Sequence, residues 1–170
     1  MTTANINYGT YTPMTVTNVQ SLAFDATDPF TAWQSNLVDN QTSVKADDYE
    51  IFLDFSTQNT APGSDKAAYC YVVPWTYNSS AWVQGANFGT TTLPTGSEGA
   101  ASISDPNGMF GPVALPYKVA QQRLNKAFLL TTLGGGMMPD GFSLAVRNMS
   151  GAHFGTGCVV AYRPITYTWS

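Results

Sequence analysis

The 170-residue sequence predicts an all-β protein, an antiparallel β-sandwich for which a jelly roll is one arrangement. Two observations support this fold class. Apolar and polar residues alternate with a period of two over segments of strand length, as side chains do on the two faces of a sheet. Clusters such as Asp105–Gly108 and Met138–Gly141 separate these segments and supply the backbone angles that chain reversals need.

Eight segments have the pattern of strands. In the third of them, Ile51, Leu53 and Phe55 alternate with Phe52 and Asp54. We therefore expect each strand to have one side that faces the core and one that faces water or a partner. The predicted strands are Met14–Leu22, Trp33–Val38, Tyr49–Phe55, Lys66–Trp75, Val113–Tyr117, Ala127–Leu133, Phe142–Asn148 and Cys158–Tyr167.

Three other segments differ from this pattern. The spacing of apolar residues in Tyr117–Lys126 is compatible with a turn or two of helix. Residues 76–112 are rich in glycine and predict a long loop-rich insertion, which in compact domains is usually functional or covered by a partner. Residues 1–20 predict an extended N-terminal arm or a first strand, and residues 21–170 a single sandwich domain.

Composition excludes several classes of partner. Charged residues make up 11% of the chain, against roughly 25% in an average soluble domain. With seven Lys and Arg and a net charge of −4, the chain lacks the clustered cations that bind nucleic acid. It has no apolar run of about 18 residues that would span a membrane. Residues 1–5 resemble no signal peptide, so we expect a soluble product made in the cytoplasm.

The residues that usually carry chemistry are few. Cys70 and Cys158 lie in apolar strand-like runs and are expected to be buried and reduced. His153 is the single histidine, and we interpret it as a loop residue rather than a catalytic base, although a triad around it stays open as an alternative. Two cysteines and one histidine do not make a zinc site. We predict no enzyme activity and no cofactor.

Two groups of carboxylates are candidates for metal binding or hydrolysis. Asp47, Asp48 and Glu50 form one group, and Asp25 with Asp28 forms the other. Neither has the spacing of a calcium-binding loop. The first group is expected to be the solvated start of a strand, with a weak divalent-cation site as the alternative.

Aromatic side chains are the candidate interface. Trp75, Tyr77 and Trp82 are close in sequence and predict a core or protein-interface role, with a carbohydrate-binding patch as the alternative. The predicted arm and insertion add further aromatic residues in segments with little apolar periodicity, where exposed rings need a covering partner. The full set of candidate interface residues is Tyr8, Tyr11, Trp75, Tyr77, Trp82 and Phe88.

Six short motifs are distributed along the chain. They are the runs 21–23 and 34–42, the strand 49–55, the turn 62–63 leading into 68–73, the Gly-x-Met-Pro-x-Gly-Phe segment 136–142 and the turn 148–151. Together they resemble a family of small virion proteins of tailed bacteriophages. The resemblance spans most of the chain from Ser21 to Pro164.

The resemblance implies a β-sandwich structural protein that decorates the exterior of the capsid and cements it. It implies the major capsid protein as partner. We also expect self-association, as a homotrimer by analogy with the local threefold axes of capsid lattices. A tail or head-to-tail component, a carbohydrate-binding module for host attachment and an enzyme on a sandwich scaffold are the alternatives.

Overall fold

Strands make up most of the structure. A computed structural model of the chain describes residues 3–16, 18–22, 31–42, 45–62, 66–84, 99–102 and 108–170. Within these ranges the helical elements are a 3₁₀ turn at Val19–Ser21 and a single turn of α-helix, α1, at Leu130–Leu133. The strands are β1 Ala4–Tyr8, β2 Thr12–Pro13, β3 Thr31–Gln34, β4 Val38–Asp39, β5 Asp48–Ser56, β6 Lys66–Tyr77, β7 Trp82–Gln84, β8 Gly99–Ser102, β9 Phe110–Tyr117, β10 Arg123–Leu129, β11 Gly141–Met149 and β12 Val159–Trp169.

The described strands form two antiparallel sheets. The five-stranded sheet has the order β1–β12–β5–β10, with β2 also paired to β12. The seven-stranded sheet has the order β7–β6–β11–β3–β8, with β4 paired to β11 and β9 paired to β6. Residues from both sheets share one hydrophobic core, so the sheets pack face to face. The predicted all-β sandwich is confirmed.

The strand order is that of a jelly roll. The principal strands, in chain order, are β1, β3, β5, β6, β9, β10, β11 and β12. If these eight strands are counted along the chain, one sheet has the order 1–8–3–6, which is β1–β12–β5–β10. The other has the order 2–7–4–5, which is β3–β11–β6–β9. Most successive strands therefore cross between the sheets, as two Greek keys require.

The core follows the alternation that the sequence shows. Ile51, Leu53 and Phe55 of β5 have no exposed surface, and neither have Val72 of β6 and Leu144 of β11 in the opposite sheet. All belong to the same cluster. Burying a side chain of this size contributes about 1.5–3 kcal/mol, so the two central strands of each sheet hold the sandwich together.

The centre of the seven-stranded sheet is buried on both faces, which contradicts the prediction of one wet side in every strand. Ser143 and Ala145 lie on the face of β11 opposite the main core, yet neither has exposed surface. Ala145 packs with Ala32, Val73 and Trp75 in a second cluster. A strand buried on both faces loses the apolar and polar alternation, and small or neutral residues replace it.

The predicted helix at Tyr117–Lys126 is wrong. Lys118 and Val119 donate their backbone N–H groups to Oε1 of Gln122 at 2.7 and 3.3 Å, which closes a tight turn, and β10 then begins at Arg123. The turn brings β10 alongside β5, and strand pairing therefore prevails over weak helical spacing.

Three predicted strands need correction. Trp33–Val38 is interrupted, because β3 ends at Gln34 and β4 begins at Val38. The described residues of Met14–Leu22, 14–16 and 18–22, form the 3₁₀ turn and no strand, although Met14, Val19 and Leu22 are buried. Their apolar character reflects contact with the core and not pairing. In Ala127–Leu133 the strand ends at Leu129, and α1 follows.

The insertion and the N-terminal segment contain further strands. β7, β8 and the start of β9 lie within residues 76–112, and β8 pairs with β3. Two parts of the insertion, residues 85–98 with Phe88 and residues 103–107, lie outside the described residues. In the N-terminal segment, β1 and β2 both pair with β12, so its described part forms a first strand and not a free arm.

Candidate interaction surface

The outward side of the five-stranded sheet carries the most exposed aromatic surface among the described residues. Along β5, Glu50, Phe52 and Asp54 alternate with the buried core residues and therefore point outward. Phe52 lies opposite Ala161 of β12, and Glu50 lies opposite Arg163. We call this side the outer face.

A cluster of two tyrosines and an ion pair lies at its centre. The guanidinium carbon of Arg163 lies 4.5 Å from the ring centroid of Tyr8 and 4.7 Å from that of Tyr11. Arg163 also forms an ion pair with Glu50, and the Tyr11 hydroxyl donates to Oε2 of Glu50 at 2.8 Å. The ring of Tyr11 contacts that of Phe52, with centroids 5.9 Å apart. One cation thus holds both tyrosines against the sheet.

The electrostatics of this cluster keep the outer face neutral. Partial burial raises the pKa of Tyr11, and the hydrogen bond to Glu50 and the charge of that carboxylate raise it further. The hydroxyl therefore remains a donor at neutral pH. A second pair, Arg123 with Asp54 at 2.7 Å, joins β10 to β5 on the same face. Each of these charges is balanced by a neighbour, which lowers the cost of covering the face with another protein.

β1 and the last residues of β12 extend this face as a two-stranded ribbon. Ala4 pairs with Trp169, Ile6 with Tyr167 and Tyr8 with Ile165. β5 pairs with β12 only as far as Ile165, so beyond that residue β12 has β1 as its described neighbour. Side chains directly opposite in such a pair lie on the same face.

The two faces of the ribbon differ in polarity. One carries Ile6, Tyr167 and Trp169, which are 52%, 40% and 72% exposed. On the other, Asn7 donates to the Thr168 hydroxyl at 3.3 Å, which ties the polar sides of the two strands together. A two-stranded ribbon is marginally stable in water by itself, and this one offers an apolar face to a partner.

The structure places five of the six candidate interface residues, on two different sheets. Tyr8 and Tyr11 lie on the outer face, whereas Trp75, Tyr77 and Trp82 belong to the seven-stranded sheet. Phe88 lies outside the described residues.

Trp75 does not reach the surface. Its side chain is 3% exposed, and its indole N–H donates to the hydroxyl of Ser143 at 2.9 Å. The same hydroxyl accepts from Nε2 of Gln34 at 2.9 Å. Trp75 is therefore a core residue, one of the two roles predicted for it, and not an exposed one, because the second cluster covers the face of β6 on which it lies.

Tyr77 and Trp82 contact each other but do not extend a flat platform. Their ring centroids are 5.1 Å apart and their planes are inclined by 51°. Trp82 packs onto Gly141, where an added Cβ would lie 2.8 Å from Cζ3 of the indole. With Trp75 buried, the coplanar exposed patch expected of a carbohydrate-binding site is not formed by these three residues.

In the acidic group at the start of β5, Asp47 is exposed as predicted, whereas Asp48 is buried and not solvated. Asp48 is 2% exposed, and its Oδ1 accepts the backbone N–H groups of Tyr49 and Thr131 at 2.7 and 3.1 Å. Its Oδ2 accepts from the Thr131 hydroxyl. Asp48 thereby satisfies the first turn of α1, which has unpaired N–H groups like any helix start. Asp47 accepts the N–H of Tyr167 at 2.6 Å.

The other chemistry-bearing residues are placed as follows. His153 lies between β11 and β12 with its side chain exposed, and its backbone carbonyl accepts the backbone N–H of Gln58 at 2.8 Å. Cys70 and Cys158 are free and buried, as predicted. Asp25 and Asp28 lie outside the described residues. Within the described ranges, no three His, Cys, Asp or Glu side chains group closely enough to hold a metal ion.

No family model matches the sequence, and a search of curated proteins finds no match either. In the part of the chain that is described, none of the helices is long and apolar enough to cross a bilayer.

Sequence reasoning identified Tyr8 and Tyr11 but missed the other half of the surface. Ile6, Tyr167 and Trp169 recur at alternate positions at the two ends of the chain. That alternation is a signal for paired strands with one apolar face, but the pairing of the two ends is visible only in the fold.

Proposed function

We propose that this protein decorates the exterior of a tailed-bacteriophage capsid and stabilises it by protein–protein contacts. Its main partner would be the major capsid protein, and copies of the chain would contact one another. The observation that supports this best is the neutral aromatic outer face with its ribbon. The homotrimer expected from lattice symmetry stays a prediction.

The chemistry of the outer face suits docking on protein. Protein interfaces are enriched in Tyr, Trp and Arg and depleted of other charged residues at their centre. Here Arg163 lies between two tyrosines and is paired with Glu50. A partner that covers this cluster takes a pair of opposite charges out of water and not a single charge, which lowers the cost of burial.

The jelly-roll order adds support by analogy. Jelly rolls occur in viral capsid proteins and in lectins, and fold alone does not decide between them. The sequence motifs that resemble virion proteins favour the first. The inclined rings of Tyr77 and Trp82 give the second no stacking platform.

Deleting the gene from its parent phage and imaging the purified particles by cryo-electron microscopy would test the proposal. We expect density for the protein on the outside of wild-type capsids and its loss from the mutant capsids. Capsids that lack the protein should bind it again when it is added. Density confined to the tail or to the head-to-tail junction, or absence of the chain from particles by mass spectrometry, would overturn the assignment.

Variants on the outer face identify the docking surface in the same assay. Tyr8→Asp removes the ring that Arg163 contacts and adds a second carboxylate next to the Arg163–Glu50 pair, so one negative charge is left without a counter-charge. It should weaken capsid binding at least about tenfold, because buried unpaired charges cost several kcal/mol. Val119→Asp is the matched control. Val119 is 59% exposed in the turn before β10, at the opposite end of the five-stranded sheet from Tyr8, and its replacement should leave the affinity unchanged.

A further inference from the structure

β1 is an edge strand with one open side. Among the described strands it pairs with β12 alone. Thr3 exchanges backbone hydrogen bonds with Ser170 at 2.8 and 3.1 Å, and the Gly9 N–H donates to Pro164 at 2.8 Å. The odd-numbered residues therefore face β12, and the N–H and C=O groups of Ala4, Ile6 and Tyr8 point to the open side.

The two edges of the five-stranded sheet are unlike each other. At the far edge, β10 carries Arg123 and Lys126, and Lys126 lies opposite the core residue Leu53, on the inward side of the sheet. Charged residues on an edge strand, above all inward-pointing ones, prevent pairing with another chain. Residues 3–13 contain no charged residue, and β1 contains no proline. The β1 edge therefore lacks the protection that the β10 edge has.

We propose that two copies of this chain pair β1 with β1 in antiparallel register across a twofold axis at Ile6, which joins their five-stranded sheets into one continuous sheet. In this register Ile6 lies opposite Ile6 of the second copy, and Ala4 lies opposite its Tyr8. These are the residues whose N–H and C=O groups point to the open side. Every such group on both strands then has a partner.

The side chains agree with the same register. On the apolar face a small residue, Ala4, lies opposite a large one, Tyr8, and the two Ile6 side chains meet at the axis. On the polar face Asn5 lies opposite Asn7, so that amide meets amide. A shift by one residue would place the apolar row of one copy against the polar row of the other.

Electrostatics favour a second copy at this place. Each chain carries a net charge of −4, so two copies repel each other in general. Contact through a charge-free strand brings no like charges directly opposite each other. Pairing also makes the apolar ribbon faces of the two copies, each with Tyr167 and Trp169, continuous. The inference concerns the self-association named in the proposed function, but it assigns a twofold pair in place of the homotrimer expected from lattice symmetry, and its geometry does not depend on a capsid.

The test is the oligomeric state of the purified full chain, measured by light scattering after gel filtration and by sedimentation over a range of concentrations. We expect a dimer with twice the monomer mass. Ile6→Lys and Ile6→Glu each place like charges opposite each other at the axis and should raise the dimer dissociation constant at least about tenfold. Mixing the two variants should restore a dimer, because Lys then faces Glu.

Val83→Lys is the matched control. Val83 is also β-branched, is 48% exposed against 52% for Ile6, and lies on the edge strand β7 of the other sheet. Its replacement should leave the dimer intact. A wild-type monomer at all concentrations, a trimer, a dimer that Ile6→Lys does not weaken, or no rescue on mixing would each overturn the inference. Capsid binding by a chain that stays monomeric would overturn the edge pairing while leaving the proposed function in place.

Discussion

Replacing Phe154 by alanine should destabilise the sandwich strongly. Phe154 has no exposed surface and anchors the connection between β11 and β12. Its ring stacks on Phe55 of β5, with centroids 5.2 Å apart and planes inclined by 15°, and lies 6.4 Å from Tyr117 of β9. The side chain therefore links both sheets.

The expected loss follows from the volume removed. A fully buried Phe→Ala change costs about 3–5 kcal/mol of unfolding free energy, including the cavity left behind. For a chain of this length each kcal/mol lowers the melting temperature by roughly 2–4 °C, so we expect a fall of roughly 6–20 °C. Urea unfolding followed by tryptophan fluorescence measures the first quantity and calorimetry the second.

The neighbouring residue provides the control. The side chain of His153 is exposed, and His153→Ala should change the stability by no more than about 0.5 kcal/mol. If Phe154→Ala does not fold, Phe154→Leu retains part of the contact and should show a smaller loss. A loss below about 1 kcal/mol for the alanine variant would refute the view that this ring joins the two sheets.

Two further changes test individual groups. Burial raises the pKa of Cys70 from 9.0 to about 12 and that of Tyr49 from 10.0 to about 12. The unfolded chain thus loses these protons first, and stability should fall as the pH rises from about 9 to 12. With Cys70→Ala, the free energy of unfolding, measured by urea titration at each pH, should fall less steeply as the pH rises. An unchanged dependence on pH would show that the Cys70 thiol does not contribute to it. Asp48→Ala leaves the N–H of Thr131 without its acceptor and should lower the free energy of unfolding by roughly 1–3 kcal/mol. Asp47→Ala is the control and should lower it less. Equal losses for the two variants would argue against a buried role for Asp48.

The fold was predictable where one physical demand decides the pattern. β5 has a core on one side and an accessible face on the other. Its buried residues Ile51, Leu53 and Phe55 therefore alternate with the outward-facing Phe52 and Asp54, and this pattern identifies the strand. β11 has a core on each face, so Ser143 and Ala145 are buried like Phe142 and Leu144. The alternation of large with small residues identifies this strand but does not indicate that both of its faces are covered. Segment 14–22 shows the converse, because Met14 and Val19 are buried without belonging to a strand.

The candidate surface was predictable only in part, because exposure depends on long-range packing. Tyr8 and Trp75 look alike in the sequence, since both lie in segments with little charge. One lies on an outward-facing edge and is 56% exposed, while the other is covered by residues from several strands and is 3% exposed. Tyr167 and Trp169 become part of an apolar face only because their strand pairs with one about 160 residues earlier in the chain.

The positions of the charged residues show how the outer face is kept neutral. A neutral surface can arise from a lack of ionisable groups or from their pairing, and the outer face of this protein uses pairing. Arg163 with Glu50 and Arg123 with Asp54 balance one another across neighbouring strands. Paired groups carry their own partners into an interface, so a protein that covers this face need supply no counter-charge. The face can then be selective through the shape of its aromatic side chains, while the uncharged edge of β1 remains the part of the sheet where backbone hydrogen bonds can still form.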